Sequence, residues 1–216
     1  MSVDLPPWFT KTFGPHRVDP YLAAAQREGV RVLELILWDI QASEAFHTPL
    51  GALETCFRQA IHERLKSHYH RPDWWSAAPL SPHDLSKVSK ASGEARREGN
   101  HRPSADAIAA QLTFGFWVNL LSQRHDRHFW VPALHQAFPG YRGRRGDLHD
   151  NLEAMCYLRN RVMHHEPIFH RDLRSDHSKI CRLISYVQPD AAAWLGEFDR
   201  VPQVLANRPG RDTRAS

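Results

Sequence analysis

Residues 155–169 read MCYLRNRVMHHEPIF, and this stretch predicts the end of a helix. Pro167 ends the pattern, because the residue before a proline is disfavoured in the α region. His164 and His165 are therefore expected at the carboxyl end of the helix, where the helix dipole stabilises a cation. The apolar residues recur at spacings of three, four and seven, which is the period of a buried helical stripe: Leu148, Leu152, Met155 and Val162.

The polar residues of this helix end have an ordinary structural interpretation. Arg159, Asn160, Arg161 and His164 crowd into its last turn and a half. Basic side chains there commonly bind the last carbonyl groups and keep the surface soluble. Helical periodicity alone therefore predicts capping residues and no chemistry.

The same residues also resemble a known family. The run LRNRVMHH at 158–165 resembles the signature of the HEPN superfamily, an Arg followed within a few residues by His. Together with EPIF at 166–169, it is similar to Abi-like (abortive infection, Abi_2/AbiD/AbiF type) proteins of bacteria. Residues 111–117, QLTFGFW, resemble the central helix of that family. The resemblance covers about residues 20–190 and implies an all-α, HEPN-like helical bundle with extra helices.

The resemblance also implies an activity. HEPN proteins of this type are metal-independent endoribonucleases, usually with a site completed by two protomers, which leave 2′,3′-cyclic phosphate and 5′-OH ends. Carried over to this chain, Arg159, Asn160 and His164 would be catalytic, and His165 and Arg161 would be the fallback base and phosphate partner. RNA would be the substrate, no cofactor is expected, and an antitoxin or another defence component would be a further partner.

Glu54 and Arg58 lie four residues apart on a predicted helix, and their stretch 53–61 resembles the early helix of Abi-like proteins. In that family a Glu and an Arg of this helix face the motif helix. Glu54 would then orient Arg58 or Arg159 and would not act as the catalytic acid. The alternative is an i,i+4 ion pair on the surface, which stabilises a helix by about 0.2–0.5 kcal/mol.

The geometry of a helix places Arg159 and His164, two of the proposed catalytic residues, on different sides of it. Five residues along a helix correspond to a rotation of about 140°, so Arg159 and His164 of one protomer point in different directions. Either the helix ends before His164, or two motif helices cross antiparallel in a C2 homodimer with Arg159 of one chain facing His164 of the other. The second arrangement is preferred because the family is known for it, and it predicts a homodimer through the 146–166 helix.

Charge and composition favour an anionic partner only weakly. The net charge is +4 at pH 7 and the isoelectric point is about 9.1. Arg142, Arg144 and Arg145 lie in a glycine-rich loop directly before the motif helix and are the RNA-binding candidates.

The 216 residues contain no apolar run long enough for a membrane span and no signal-peptide pattern, so a cytoplasmic protein is expected. Three cysteines, an odd number in apolar contexts, favour reduced thiols over a disulfide framework.

The chain is expected to be helical throughout. Residues 1–19 predict an irregular N-terminal arm, residues 20–205 a single all-α domain, and residues 206–216 a disordered tail. Within the domain, Gly29 predicts a break, after which a helical pattern resumes through Val30, Leu33, Leu37 and Ile40. Thr48-Pro49 predicts the start of a new helix, whose buried stripe is Leu50, Leu53, Phe57, Ile61 and Leu65, and residues 107–122 predict one continuous helix. Residues 178–198 predict a last helix, which Pro189 is expected to kink or split.

Other chemistries have weaker signals. Several of the 15 histidines could ligate zinc, but HExxH and paired CxxC motifs are absent, so no dedicated metal site is expected. A serine nucleophile would lack its GxSxG turn. Two alternatives to the enzyme remain: a catalytically silent module that binds RNA or a nucleotide, and a helical dimer with a structural or regulatory role in a defence or toxin–antitoxin system.

Overall fold

The computed structural model describes residues 5–98 and 102–210, and over these residues the chain is all-α with no strand. The predicted all-α class is confirmed over these residues. None of the described helices combines the length and the apolar character needed to cross a membrane. The α-helices are α1 (Pro7–Phe13), α2 (Pro15–Glu28), α3 (Val32–Tyr69), α4 (Pro82–Arg97), α5 (Ala105–Gln111), α6 (Phe114–Asn119), α7 (Arg145–Met163), α8 (Leu173–Val187), α9 (Pro189–Gly196) and α10 (Val201–Ala206).

Helix α3 is the central element, and α2, α6, α7, α8 and α10 all pack against it. Its 38 residues span about 57 Å. The helix runs through Pro49, where the sequence predicted a new helix to begin. A proline inside a helix costs about 3 kcal/mol through the lost hydrogen bond and its steric clash. Burial of the large side chains on both sides of Pro49, such as Phe46 and Leu50, keeps the helix in one piece.

The buried face of α3 matches the sequence pattern in its second half only. The predicted stripe Leu50, Leu53, Phe57, Ile61 and Leu65 is buried throughout. In the first half, the pattern pointed to a stripe that includes Leu37 and Ile40, but these side chains are more than half exposed. The residues that are buried there instead are Val32, Leu35, Ile36, Trp38 and Asp39.

From Pro7 onward the chain is helical and does not form the irregular arm predicted for residues 1–19, of which residues 1–4 lie outside the described residues. Pro7 and Pro15 occupy the first turns of α1 and α2, where a missing N–H is harmless. Gly14, with a φ of 82°, separates the two helices. The prolines and the glycine thus mark helix boundaries. Gly29 is a left-handed C-cap that ends α2, as the predicted break requires.

The segment predicted as one helix over residues 107–122 is two short helices. Leu112 is extended between α5 and α6, and the Thr113 side chain accepts a hydrogen bond from the Phe116 N–H to cap α6. Residues 123–137 then form single turns, among them a π-helical turn at Asp126–Trp130. These turns bring a group of basic side chains to the start of α7.

The C-terminal region is packed on the rest of the chain as far as it is described. The helix predicted to begin at Ser178 begins at Leu173, and it is split at Pro189, where α9 starts. In the predicted tail, Arg208 pairs with Glu28 at 2.8 Å and lies over the ring of Trp38. Residues 206–210 are therefore held by contacts, and residues 211–216 lie outside the described residues.

A buried carboxyl group connects α3 to the loop after α7. Asp39 is 3% exposed and accepts a hydrogen bond from the Tyr21 hydroxyl at 2.5 Å and one from the Ile168 N–H at 3.1 Å. Burial raises the pKa of Asp39 above its ordinary value, and these hydrogen bonds oppose that shift. The carboxyl group thereby joins α2, α3 and the segment that follows the motif.

We expect Asp39→Ala to lower the free energy of unfolding by roughly 2–4 kcal/mol, because the Tyr21 hydroxyl and the Ile168 N–H would lose their acceptor inside the protein. Tyr21→Phe, the matched control, removes one donor only and should lower it by about 1 kcal/mol. Urea denaturation measures both values. Equal effects of the two variants would contradict the shared-acceptor role of Asp39.

The raised pKa of Asp39 also predicts a pH dependence. A carboxyl group whose folded pKa is raised adds stability below its unfolded pKa, and this contribution is lost as the pH rises through the folded pKa. The stability of the wild type relative to Asp39→Asn should therefore fall as the pH rises from about 4 towards neutrality. Urea titrations of both proteins at several pH values give this difference, and an increase with pH would contradict it.

Candidate functional site

The C-terminal end of α7 is a complete Schellman motif. His164 is the C-cap, and His165 follows in the left-handed conformation with a φ of 55°. The Glu166 N–H donates to the Arg161 carbonyl at 2.8 Å, and the His165 N–H donates to the Val162 carbonyl at 3.1 Å. Glycine is the usual residue at the position of His165, and a left-handed L-residue costs about 1–2 kcal/mol. Helix α7 thus ends one residue before His164.

Three side chains fix the course of the loop that follows α7, residues 164–169, and none of the three belongs to this loop. The Arg161 guanidinium donates to the Pro167 carbonyl from Nε at 3.1 Å and from a terminal nitrogen at 2.6 Å, and it pairs with Glu166 at 3.1 Å. The Arg17 guanidinium donates to the His165 carbonyl. With Asp39 bound to the Ile168 N–H, the loop is held at both ends. Arg161, expected as a fallback phosphate partner, is therefore engaged in shaping the loop.

Arg159 faces α3 and pairs with Glu54. The distance from Arg159 Nε to Glu54 Oε2 is 3.1 Å, and the two side chains are 28% and 15% exposed. Another guanidinium nitrogen of Arg159 lies 3.3 Å from Asn160 Oδ1. Arg58 instead donates to the Ala110 carbonyl at 3.3 Å. Of the two partners that the sequence left open for Glu54, the structure selects Arg159.

Asn160 and His164 share one exposed face with Tyr157. These three residues follow each other at spacings of three and four, so they line up along the outer surface of α7. Arg159 points to the flank of the helix, towards Glu54. Within one protomer, the imidazole of His164 and the guanidinium of Arg159 therefore belong to different sides of the helix end.

The RNA-binding candidates lie at the other end of α7. Arg145 begins the helix, 14 residues before Arg159, which corresponds to about 21 Å. Arg145 pairs with Asp126 at 2.9 Å, and Arg144 pairs with Asp147 at 3.1 Å. Arg142 donates to the Pro139 carbonyl at 2.7 Å.

Arg145 also lines a cavity that the sequence interpretation missed. The cavity has a volume of about 400 Å³, and four of its six lining residues are basic or histidine. The run QRHDRH at residues 123–128 was the available signal, but its convergence on Arg145 depends on the tight turns before α7. The lining residues are Gln123, Arg124, Asp126, Arg127, His128 and Arg145.

Comparison of the chain with protein-family models, with curated proteins and with solved structures gave no match. The resemblance to Abi-like and HEPN proteins therefore stays a prediction that rests on the residues quoted above.

We expect a double-mutant cycle on Glu54→Ala and Arg159→Ala to give a coupling energy of roughly 1 kcal/mol, the upper end for exposed pairs, because both side chains are largely shielded from water. The matched control is the cycle on Glu54→Ala and Arg58→Ala, which should couple by less than about 0.3 kcal/mol. Thermal or urea unfolding measures both cycles. A stronger coupling to Arg58 would contradict the observed pairing.

Proposed function

We propose that this protein is a metal-independent endoribonuclease of the HEPN superfamily, of the Abi-like toxin or phage-defence type. The single observation that carries the proposal is the fixed presentation of His164. Its backbone is held by the Schellman motif and by the bonded loop, while its imidazole is exposed beside Asn160. A general acid–base group must be held in place and must reach its substrate, and His164 meets both requirements.

The proposed reaction is an internal transfer at phosphorus. His164 takes the proton of a ribose 2′-OH, the 2′-oxygen forms a bond to the adjacent phosphorus, and the bond from phosphorus to the 5′-oxygen breaks as that oxygen receives a proton. The products are a 2′,3′-cyclic phosphate and a 5′-OH. Arg159 would stabilise the charge on the phosphate oxygens, and Asn160 would orient the phosphate.

The site is proposed to need two protomers because one protomer turns Arg159 and His164 apart. In an antiparallel C2 pair of α7 helices with the axis near residues 161 and 162, Arg159 of one protomer faces His164 of its partner. Two His164 side chains then supply one base and one acid. The partner's backbone would approach the exposed stripe of Tyr157, Asn160 and His164.

The charge along this stripe limits how RNA can approach. The N-terminal half of α7 exposes Asp147, Asp150 and Glu153, which repel phosphate. RNA is therefore proposed to reach His164 from the loop side of the helix end. Arg142, Arg144 and Arg145 would contact a distant part of the same RNA, or RNA bound to the partner protomer.

A second candidate is a helical dimer with a structural or regulatory role, for example beside an antitoxin or another defence component. The ion pair between Arg159 and Glu54 favours this alternative, because a guanidinium that already neutralises a carboxylate has less charge for a phosphate. A catalytically silent module that only binds RNA would leave the RNA intact after incubation with the protein, which distinguishes it from the enzyme.

We expect His164→Ala to lower the rate of RNA cleavage by about 10²–10⁴-fold and to leave RNA affinity nearly unchanged, because only proton transfer is lost. Cleavage is measured on a mixed RNA pool in the presence of EDTA, since the site has no carboxylate cluster suited to Mg²⁺. Loss of activity in EDTA that Mg²⁺ or Mn²⁺ restores would contradict metal independence.

His165→Gly is the matched control for His164→Ala. It removes the neighbouring imidazole and relieves the left-handed φ of residue 165, so it should keep activity and raise stability. Arg159→Ala should weaken both RNA cleavage and RNA binding. Glu54→Ala is the comparison for this variant, because it breaks the same ion pair and keeps the Arg159 guanidinium. Cleavage at the wild-type rate by the His164→Ala, His165→Gly double variant would end the catalytic assignment.

We expect Asn160→Cys to form a disulfide between protomers and Glu153→Cys to form none. With the two-fold axis near residues 161 and 162, the two copies of residue 160 are offset along the helices by only about 5 Å, and those of residue 153 by about 25 Å. Non-reducing electrophoresis reads the dimer band, with the wild-type protein reporting any bond made by the native cysteines. A band for Glu153→Cys alone would move the axis to the middle of α7, and a monomer by light scattering would exclude the shared site.

A further inference from the structure

Three side chains with different metal-binding atoms converge beside α8, and none of them belongs to the proposed ribonuclease site. His177 and Cys181 lie one turn apart on α8, and Asp199 lies between α9 and α10. The Asp199 carboxylate is hydrogen-bonded to Nε2 of His177, and Sγ of Cys181 lies 3.6 Å from the same nitrogen. The three ligand atoms are all within 4.8 Å of one another. We call these three residues the α8 cluster.

The spacing between sulfur and nitrogen matches a tetrahedral metal centre. Zinc bonds of about 2.3 Å to sulfur and about 2.0–2.1 Å to nitrogen, at a tetrahedral angle, separate the two ligand atoms by about 3.6 Å. The Cys181 and His177 atoms already have this separation. The Asp199 oxygen is closer to the nitrogen than a shared metal would allow, so the carboxylate would have to move away from His177 by about 1 Å.

The arrangement does not suit a nucleophilic cysteine. In a cysteine–histidine–carboxylate relay the thiol and the carboxylate bind opposite nitrogens of the imidazole, so that one orients the ring while the other exchanges a proton. Here Cys181 and Asp199 both approach Nε2. Ligand atoms that converge on one point are what a metal ion requires.

The surroundings of the α8 cluster also fit a metal site. The His177 and Asp199 side chains are 17% and 6% exposed, so the ligands are shielded from water but can be reached. The second oxygen of Asp199 accepts a hydrogen bond from the Val201 N–H at 2.9 Å, which orients the carboxylate. Such outer hydrogen bonds are typical of protein metal ligands.

We infer that His177, Cys181 and Asp199 bind a divalent transition-metal ion, with Zn²⁺ the best match, and that the ion cross-links α8 to the segment between α9 and α10. Three protein ligands leave the fourth tetrahedral position to water. The inference is independent of the proposed ribonuclease activity. It departs from the sequence expectation of no dedicated metal site, which considered only HExxH and paired CxxC motifs.

The alternative is an ion pair that needs no metal. The neighbouring Cys181 and Asp199 raise the pKa of His177 to about 9, so that without a metal an imidazolium supplies the positive charge between the two partners. A metal must displace that proton. The experiment therefore has to measure metal binding directly.

The test is titration of the reduced full-length protein with Co²⁺ and with Zn²⁺. We expect one equivalent of Co²⁺ to give a thiolate-to-cobalt charge-transfer band and the visible bands of a tetrahedral centre, and one equivalent of Zn²⁺ to displace it. With free Zn²⁺ at about a hundred times its Kd, the melting temperature should rise by roughly 5–10 °C. A folded wild-type protein that shows no band and no shift would overturn the inference.

Three substitutions assign the site. Cys181→Ser should abolish the charge-transfer band and most of the thermal shift, whereas Cys56→Ser, which changes a half-buried cysteine outside the α8 cluster, should leave both unchanged. His149→Ala controls for another group of potential ligands, His149, Asp150 and Glu153, which has no thiolate. A band that persists in Cys181→Ser would place the metal elsewhere and overturn the assignment.

Discussion

A carboxyl group almost out of contact with water determines where the chain goes after α7. Asp39 can be buried because the Tyr21 hydroxyl and the Ile168 N–H supply its hydrogen bonds, and those donors can be buried because Asp39 accepts from them. Burial of the carboxyl group without its donors, or of the donors without the carboxyl group, would be destabilising. The loop that presents His164 therefore follows the same path whenever α2 and α3 are packed together.

Helix α3 holds the motif helix at two levels. Asp39 binds the loop beyond its end, and Glu54, 15 residues and about 22 Å further along α3, binds Arg159 on its flank. Two attachments to the same helix prevent α7 from turning about its own axis. Its inner face is committed to packing, and Arg159 on its flank is bound to Glu54 but stays partly exposed. The stripe with Tyr157, Asn160 and His164 and this edge of Arg159 therefore remain available to a partner or a substrate.

The parts of this fold that sequence predicts are those where apolar periodicity is strong. The stripes of α7 and of the second half of α3 are examples, and both are buried as expected. The continuity of α3 through Pro49 was not predictable, because it depends on packing around the proline and not on local preference. The partner of Glu54 was left open for a similar reason: Arg58 is near in sequence, but Arg159 is near in space. The α8 cluster was missed because Asp199 lies 22 residues from His177.

The long reach of these contacts affects how the chain folds as it is made. Asp39 and the loop residue that donates to it, Ile168, are 129 residues apart, and Glu54 and Arg159 are 105 residues apart. A ribosome adds about 5–20 residues per second, so α3 leaves the exit tunnel several seconds before either partner exists. During that interval the apolar face of α3 lacks the cover of α7 and α8 and is a target for chaperones. The end of α7 takes its final shape only after Ile168 has been synthesised, which delays whatever this surface does until 129 residues have followed Asp39.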